Sequence, residues 1–539
     1  MLYILNLISK IKKITMKSQI IRMLLVSAFV FTSLSSCTER FLEYNTSPNG
    51  IYNKLAFGEA LVASKLKLAV VRLPADYQIA ELYTGSQWSG YIGEGSFNSK
   101  GESLSCYYWR VDWENHIWGE YSGVMNDIET IKGDLVPGSP FDALLRIVRI
   151  EGAQRSSSFY GPLTYTTYGM SKTSAIYDSE ETLYKTWFKE LDTYIDVLNK
   201  YVSAKGANFD KKYDPVYDGD YKKWLQYANS LRLRLAMRVV YADPALAKEN
   251  AEKAVDPANG GVIESNTGDF FVKGELDNSY VVAYDWGDMR MGADMESYLV
   301  GYNDPRLPLM WNKCIQNSNY PGIENFYKGI RIGTMNSKSI RNEVSSLPKY
   351  CVPKTNPQCI TGAAVAYFLR AEGALWGWNM GGTAKEFYEK GVKASFAQWK
   401  LSVSSANTYL ADNVSKPIDW VDYYTGTNKL YDIKAMSDVT IAWDESDNFE
   451  RKQERILTQK WIAQFPNGIE SWAEFRRTGY PKLFPTFENF SSGQVAQGDY
   501  IKRCIYPVKE RTGNPEYAKI QDVLGGPDEM GTRLWWDKK

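Results

Sequence analysis

Histidine is almost missing from the chain, because His116 is the only one among 539 residues. A two-histidine metal motif is therefore impossible within one chain. None of the six cysteines forms a C-x-x-C pair, which excludes zinc-ribbon and thioredoxin-type motifs. The patterns G-x-x-x-x-G-K-[ST], G-x-G-x-x-G and G-x-S-x-G are absent as well. The sequence thus gives no support for a nucleotide-binding site or a serine-hydrolase elbow.

An excess of charge of one sign is also missing, because 63 Lys and Arg residues balance 63 Asp and Glu residues. A nucleic-acid-binding protein would show a basic excess or stripe, so nucleic acid is not an expected partner. Aromatic residues, in contrast, are abundant, with 38 Tyr and 17 Trp. The hydrophobic share of 44% and the charged share of 23% are typical of a globular protein rather than a disordered chain.

Long apolar segments are limited to one, the twelve apolar and small residues at 23–34. Five basic residues precede it, at positions 10, 12, 13, 17 and 22, which is typical of a secretory signal peptide. The segment is shorter than the about 20 residues that a transmembrane helix needs. Met16 is a plausible true start, because the residues after it still form a normal basic region.

The end of this segment, Leu34-Ser35-Ser36-Cys37, resembles the bacterial lipobox, in which the cysteine is acylated and becomes the new N-terminus. We therefore predict a lipoprotein signal peptide at 1–36 and a membrane anchor at Cys37. An ordinary signal peptide with a chance cysteine is the alternative. Removing residues 1–36 leaves 58 basic against 63 acidic residues, a net charge of −5. Such a chain is not attracted to anionic lipid, so anchoring would depend on acyl chains.

The five other cysteines cannot all pair with one another, because their number is odd. Cys351 and Cys359 are close enough in sequence to close a small loop in an oxidising compartment. Buried free thiols are the alternative.

Helical periodicity is clear in three segments of the mature chain. Residues 179–201 and 221–242 each carry an apolar stripe at spacings of three and four, with Asp178 and Asp220 as expected N-caps. Residues 361–400 contain two such stripes separated by Gly381-Gly382, and Thr383 with Glu386 predicts a capping box for the second. Two helices joined by a short break make a hairpin of the tetratricopeptide type.

Long segments rich in Gly, Asn, Asp, Ser and aromatics separate these helices, at 74–112, 202–220, 256–358 and 401–450. Loops of this length in a compact domain are usually functional. No convincing series of alternating strands is present. The expected fold is therefore mainly α, with tetratricopeptide-like helical hairpins as scaffold, long irregular loops and little sheet.

Two local patterns have both a chemical and a structural interpretation. His116 lies among aromatics with Asp112 and Glu114 nearby, and it is either a catalytic histidine or, as we favour, a buried or loop histidine. The acidic segment DPVYDGD at 214–220 contains Asp214, Asp218 and Asp220. It is similar to a calcium loop but lacks the D-x-[DN]-x-[DN]-G spacing. Capping of the 221–242 helix by Asp220 is the favoured interpretation.

Several segments together resemble the SusD/RagB family of nutrient-binding outer-membrane lipoproteins of the Bacteroidetes. Residues 217–239, YDGDYKKWLQYANSLRLRLAMRV, are similar to the core signature of that family. The other matching segments follow in order along essentially the whole mature chain, at 45–49, 177–192, 297–308, 327–333, 366–377, 386–395, 458–481 and 532–537. One segment departs from the family pattern: FYGPLTYTT at 159–167 has Pro162 where an Asp and Thr164 where a proline is usual.

The resemblance implies a single helical domain over residues 37–539, built on tetratricopeptide-like hairpins. It implies a lipoprotein that is anchored in the outer membrane, faces the cell surface and needs no cofactor, metal or catalytic residue. It further implies a SusC-like TonB-dependent β-barrel transporter as partner and an oligosaccharide as cargo. The same architecture with a peptide or other cargo is the alternative, and a surface glycoside hydrolase is a third hypothesis.

Sugars present flat C–H faces and rings of hydroxyls, so a binding surface needs exposed aromatic rings flanked by hydrogen-bonding groups. Two segments fit this description: 87–103, in which Trp88 and Tyr91 lie among Gly, Ser and Asn residues, and 283–290, which contains Tyr284, Trp286 and Asp288. We expect the ligand-binding residues among them, and the candidates are Trp88, Tyr91, Asn98, Tyr284, Trp286 and Asp288. The family's ligand residues are not part of its signatures, so none is carried over.

Overall fold

The computed structural model describes most of the chain from Lys54 onwards. The described residues are 54–94 except Ala75, 102–273 except Lys172, 281–315, 322–335 except Glu324, 344–348, and 357–539 except Tyr424, Gly426 and Thr427. The contacts between Cα atoms divide the chain into two units, residues 1–61 and residues 62–539. Cys37, Asn98 and Cys351 lie outside the described residues.

Helices dominate this fold, as the sequence predicts. In chain order the α-helices are α1 (Lys54–Val71), α2 (Glu114–Glu129), α3 (Pro140–Tyr160), α4 (Glu180–Ser203), α5 (Tyr221–Arg238), α6 (Pro244–Val255), α7 (Ala293–Met295), α8 (Leu307–Met310), α9 (Ala363–Leu375), α10 (Ala384–Gln398), α11 (Val403–Leu410), α12 (Phe449–Gln464), α13 (Gly468–Thr478), α14 (Val508–Gly513) and α15 (Ile520–Leu524). Three π-helices add to them, at Tyr77–Ser86, Val281–Asp285 and Glu296–Val300.

Sheet is scarce, which confirms the predicted fold class. Strand β1 (Ile92–Glu94) pairs antiparallel with β3 (Met289–Met291), with Ile92 opposite Met291. Strand β2 (Phe270–Val272) pairs antiparallel with β4 (Gln358–Thr361). Within the described residues these are the two sheets, and each has two strands. The β1–β3 pair joins the two segments in which the ligand candidates lie.

Neighbouring helices pack against each other along the chain, and α9 with α10 forms the predicted hairpin. Its capping box is present, because Thr383 Oγ1 accepts from Glu386 N and Glu386 Oε2 accepts from Thr383 N at 2.8 Å. Small residues let the two axes approach closely. A Cβ at Gly391 would come within 2.8 Å of the Phe368 ring, so only glycine fits there without a shift.

One predicted cap is confirmed and one is wrong. Asp220 caps α5 by accepting from Lys222 N at 2.9 Å. Asp178, however, does not cap α4, since Ser179 occupies that position and accepts from Thr182 N. The Asp178 carboxylate lies one residue too early and instead accepts from the backbone of Thr166 at 2.7 Å. It thereby holds the turn of the segment that departs from the family pattern.

A buried set of ion pairs joins five helices. Four glutamates face four basic side chains, so the set is neutral: Glu151 on α3, Arg234 and Arg238 on α5, Glu372 on α9, Lys460 on α12, and Glu470, Glu474 and Arg477 on α13. We call these eight residues the ionic core.

Glu474 stands at the centre of the ionic core. Its carboxylate contacts Lys460 Nζ at 2.7 Å, Arg477 Nη2 at 2.7 Å and Arg238 Nε at 3.3 Å. Burial alone would raise the pKa of Glu474, but the Arg477, Lys460 and Arg238 charges hold it well below its ordinary value. Glu474 is therefore ionised, and it compensates three cations at once.

We expect Glu474→Ala to lower the free energy of unfolding by about 3–5 kcal/mol, because it leaves buried cations without their carboxylate. Urea unfolding followed by circular dichroism measures this change. Asp196→Ala, at the exposed Asp196–Lys200 pair of α4, is the matched control and should cost less than about 1 kcal/mol. Equal losses in the two variants would mean that the ionic core does not hold the helices together.

Candidate functional site

Two of the predicted ligand-binding aromatics are buried, so the expectation that their rings are exposed is wrong. Trp88 is 4% exposed and packs on Trp472, with ring centroids 4.8 Å apart. Its Nε1 donates to Leu104 O at 3.0 Å. Tyr91 is 0% exposed, and its hydroxyl contacts Ser471 Oγ at 2.7 Å. Both rings pack against α12 and α13, which follow them by more than 350 residues and left no local signal in the sequence.

The second predicted segment does reach the surface. Trp286 is 45% exposed, and it directly follows the π-helix Val281–Asp285. Tyr284 is half-buried and donates its hydroxyl proton to Leu347 O. Asp288 is half-buried and accepts from the Tyr83 hydroxyl at 2.9 Å. The remaining candidate, Asn98, lies outside the described residues.

The Tyr83–Asp288 hydrogen bond connects two of the π-helices of the fold. Tyr83 lies in the π-helix Tyr77–Ser86, and Asp288 lies three residues after Val281–Asp285. π-Helical turns are rare and are frequent at functional sites, because the inserted residue redirects side chains. Here they bring together side chains that are 205 residues apart in sequence.

Tyr83 also supports a tryptophan that the sequence analysis did not single out. The rings of Tyr83 and Trp113 stack with centroids 5.3 Å apart and planes 25° apart. Trp113 is half-buried at the start of α2, and Arg110 Cζ lies 4.4 Å from its ring centroid. Asp112 holds this guanidinium by two hydrogen bonds, at 3.0 and 2.7 Å. The ion pair raises the pKa of Arg110, which stays charged.

We call this patch the aromatic surface, and it consists of Tyr83, Arg110, Trp113 and Asp288, which are linked by contacts, together with Trp286, two residues before Asp288. Trp286 is exposed, Trp113 is half-buried and Tyr83 is buried. A carboxylate and a guanidinium flank the rings. Such a patch can stack on flat apolar faces and exchange hydrogen bonds with polar groups of a ligand.

The density of aromatics in CYYWRVDWENHIW at 106–118 is the signal that could have identified Trp113. The same segment contains His116. That residue lies in the first turn of α2 and is half-exposed, with Nδ1 3.2 Å from Asp76 Oδ2. Among the described residues no hydroxyl or thiol is hydrogen-bonded to His116. The His–Asp contact therefore lacks the nucleophile that a catalytic triad requires.

Comparison with known protein families shows to which family the chain belongs. The family described as "SusD-like: Susd and RagB outer membrane lipoprotein" matches residues 44–537. The chain belongs to the SusD-like family. A comparison with curated proteins finds no match.

Solved SusD homologues have the same fold. A chitin-binding SusD homologue from Flavobacterium johnsoniae is 38% identical, with a TM-score of 0.80 over 90% of this chain and 99% of that chain. A SusD homologue from Bacteroides thetaiotaomicron VPI-5482 is 34% identical, with a TM-score of 0.79 over 89% and 99%. One from Bacteroides uniformis ATCC 8492 is 34% identical, with a TM-score of 0.77 over 91% and 100%. These findings confirm the predicted family and its tetratricopeptide-like fold.

The family is one of outer membrane lipoproteins. In the part of this SusD-like chain that the structure describes, no helix combines the length and the apolar character that spanning a membrane requires.

The acidic segment before α5 is explained by backbone contacts. The Asp214 carboxylate is buried and accepts from Val216 N, Gly219 N and Trp224 Nε1 at 2.9, 2.8 and 2.9 Å. Its oxygens are thus used by the protein itself, and Asp220 is used as the cap of α5. Together these contacts account for the segment without a calcium ion.

The described cysteines are free thiols. Cys106, Cys314 and Cys504 are buried, and Cys359 is half-buried. Burial raises the pKa of Cys106 and Cys504 to about 12, so these thiols stay protonated and unreactive. Free Cys359 agrees with the free-thiol alternative of the sequence analysis.

Proposed function

We propose that the aromatic surface of this SusD-like lipoprotein binds an oligosaccharide at the cell surface, for delivery to a SusC-like transporter. The observation that carries the proposal is the Trp113–Tyr83–Asp288 chain of contacts, which ends two residues from exposed Trp286. The 38% identical homologue from Flavobacterium johnsoniae is chitin-binding, which supports a glycan as the cargo class. A β-linked N-acetylglucosamine oligomer is accordingly the first ligand to test.

The chemistry of such a ligand fits the patch. Each sugar ring offers a C–H face for Trp286 or Trp113, and its hydroxyls and amides match Asp288 and Arg110. The contribution is binding and positioning, and the proposal includes no catalytic step.

Trp286→Ala should weaken binding of chitohexaose by about two- to tenfold, since aromatic stacking contributes about 0.5–1.5 kcal/mol beyond area burial. Isothermal titration calorimetry on the full chain in detergent measures the affinity. The melting temperature should stay nearly unchanged, because the ring is exposed.

Two variants make this experiment specific. Trp378→Ala, at a half-buried tryptophan that stacks on Trp376 away from the aromatic surface, should leave the affinity unaltered. Trp88→Ala should lower the melting temperature strongly, because truncating a buried aromatic costs about 3–5 kcal/mol. Unchanged affinity in Trp286→Ala would mean that chitohexaose does not bind at the aromatic surface.

The two alternative functions give different results in the same preparation. A peptide cargo would appear as enrichment of peptides, without glycan signal, when the protein is screened on a glycan array and in a peptide pull-down. A hydrolase would release shorter products from bound chitohexaose over time, which chromatography detects. We expect glycan retention without product formation.

We also propose that the mature protein is residues 37–539, a single domain held in the outer membrane by acyl chains on Cys37. Two or more chains are needed for stable anchoring, and a lipoprotein modification supplies them. Cys37→Ala should abolish incorporation of labelled fatty acid and release the protein from the membrane fraction. Its melting temperature should match that of the wild type. Label in the variant protein would contradict the anchor.

The proposed partner is a SusC-like TonB-dependent β-barrel, and the family assignment supports it. Affinity purification from detergent-solubilised outer membrane should recover such a barrel with the wild-type protein. The Trp286→Ala variant should recover it equally well, because the ligand surface is not needed for the complex. Absence of any barrel in both samples would remove the delivery step from the proposal.

A further inference from the structure

A cavity lies near the C-terminal part of the chain and shares no residue with the aromatic surface. Its volume is about 300 Å³, and Arg476, Lys482, Lys502, Arg533, Phe475 and Tyr500 are among its lining residues. We call it the C-terminal cavity. Its volume is at the lower end of the range for small-molecule sites in proteins.

The lining of the C-terminal cavity is strongly basic. It contains five cationic side chains, including Lys539, and one carboxylate, that of Asp499. Three of the cations have carboxylate partners. Lys502 pairs with Asp499 at 2.9 Å, Arg533 with Asp537 at 2.7 Å, and Lys539 with Glu450 at 2.6 Å.

Arg476 and Lys482 are different, because neither forms an ion pair with a carboxylate of the described chain. Lys482 is exposed, and its Nζ lies 4.5 Å from the centroid of the Tyr480 ring. The cavity therefore carries two cations without a direct ion-pair partner in the described chain.

Arg476 is the more unusual of the two, since it is 4% exposed. Its guanidinium lies over the Trp472 ring at 3.4 Å from the centroid, and Nη1 donates to Lys502 O at 2.6 Å. Its Nη2 is buried and has no hydrogen-bond partner. Burial lowers the pKa of Arg476 to about 9, and the Asp537 charge offsets this only in part. A buried cation with an unused donor is costly unless an anion approaches it.

The cavity also has an apolar wall that a bare inorganic ion would not need. Phe475 and Tyr500 pack edge to face, with centroids 4.7 Å apart, and Met436 lies at the rim. The site thus combines unpaired cations with aromatic surface.

We propose that the C-terminal cavity binds an acidic sugar, whose carboxylate pairs with Arg476 and Lys482 while its ring lies against Phe475 and Tyr500. Arg476 Nε and Nη1 donate to Trp472 O and Lys502 O, so Nη2 is the donor left for a carboxylate, and the Lys482 ammonium adds a point charge. The site is separate from the proposed glycan surface, and it stands or falls independently of that proposal.

The test uses the full chain in detergent, with glucuronate, glucose and sulfate as probes at equal ionic strength. Calorimetric titration should show binding of glucuronate and none of glucose. Lys482→Gln should weaken glucuronate binding by about tenfold or more, as expected for loss of a hydrogen bond to a charged group. Because Lys482 is exposed, the variant should melt at the wild-type temperature. Lys509→Gln, at an exposed lysine outside the cavity, is the matched control and should bind as the wild type does.

Three results would overturn the proposal. The first is no glucuronate binding to the wild type, and the second is equal affinity in Lys482→Gln. The third is sulfate binding as tightly as glucuronate, which would assign the cavity to a free oxyanion and leave the apolar wall without a role. Loss of chitohexaose binding in Lys482→Gln would contradict the independence of the two sites. Unchanged chitohexaose binding in Trp286→Ala would contradict the proposed glycan site at the aromatic surface and would leave the proposal for the C-terminal cavity unaffected.

Discussion

The ionic core is the constraint on which the rest of this fold depends. A charged side chain in a protein interior is tolerated only when its partner is in place, because desolvation costs several kcal/mol per ion. Eight such side chains on five helices satisfy one another here, so each helix must hold its register. A slide of one turn, about 5.4 Å, would separate Glu474 from Lys460 and Arg477 from Glu372. Burial of the hydrophobic stripes holds the helices against each other, and the ion pairs fix the position of each helix along its axis.

Helix α13 connects the ionic core to the aromatic surface, because it contacts the π-helix that carries Tyr83. The buried Glu81 carboxylate, in the π-helix Tyr77–Ser86, accepts from Gly468 N at the start of α13, where a negative charge is favourable. Burial raises the pKa of Glu81 to about 6, although the Arg155 charge and these backbone donors oppose the rise. The approach is so close that a Cβ at Gly468 would lie 2.2 Å from Ser86 N. Tyr83, which supports Trp113 and contacts Asp288, is therefore fixed by the helix that carries three residues of the ionic core.

Local patterns predicted the helices α4, α5, α9 and α10, because an apolar stripe and a cap are contained within about twenty residues. The hairpin of α9 and α10, the capping box at Thr383 and the cap at Asp220 were all predictable in this way. The burial of Trp88 and Tyr91 was not, since the rings that cover them, Trp472 and Trp461, come from the far end of the chain. A glycine-rich neighbourhood suggested an exposed loop, whereas the glycines allow close packing of backbone segments. Trp286 is exposed as expected, and its role in ligand binding stays a prediction.

Arg476 and Arg477 are neighbours on one helix, but their guanidinium groups differ in their ion pairs. This difference supports an anionic ligand in the C-terminal cavity. Both are buried, at 4% and 0% exposure. Arg477 donates to both oxygens of Glu372 and to Glu474, and these carboxylates hold its pKa above the ordinary value despite its burial. Arg476 faces the other way, into a lining of cations, and burial lowers its pKa. The carboxylates of Glu372 and Glu474 thus compensate the charge of Arg477, although its Nε has no hydrogen-bond partner in the described chain. The scaffold gives Arg476 aromatic contacts, backbone acceptors and partial compensation by the Asp537 charge but no ion pair within the described residues, and an anion in the cavity would supply that direct partner.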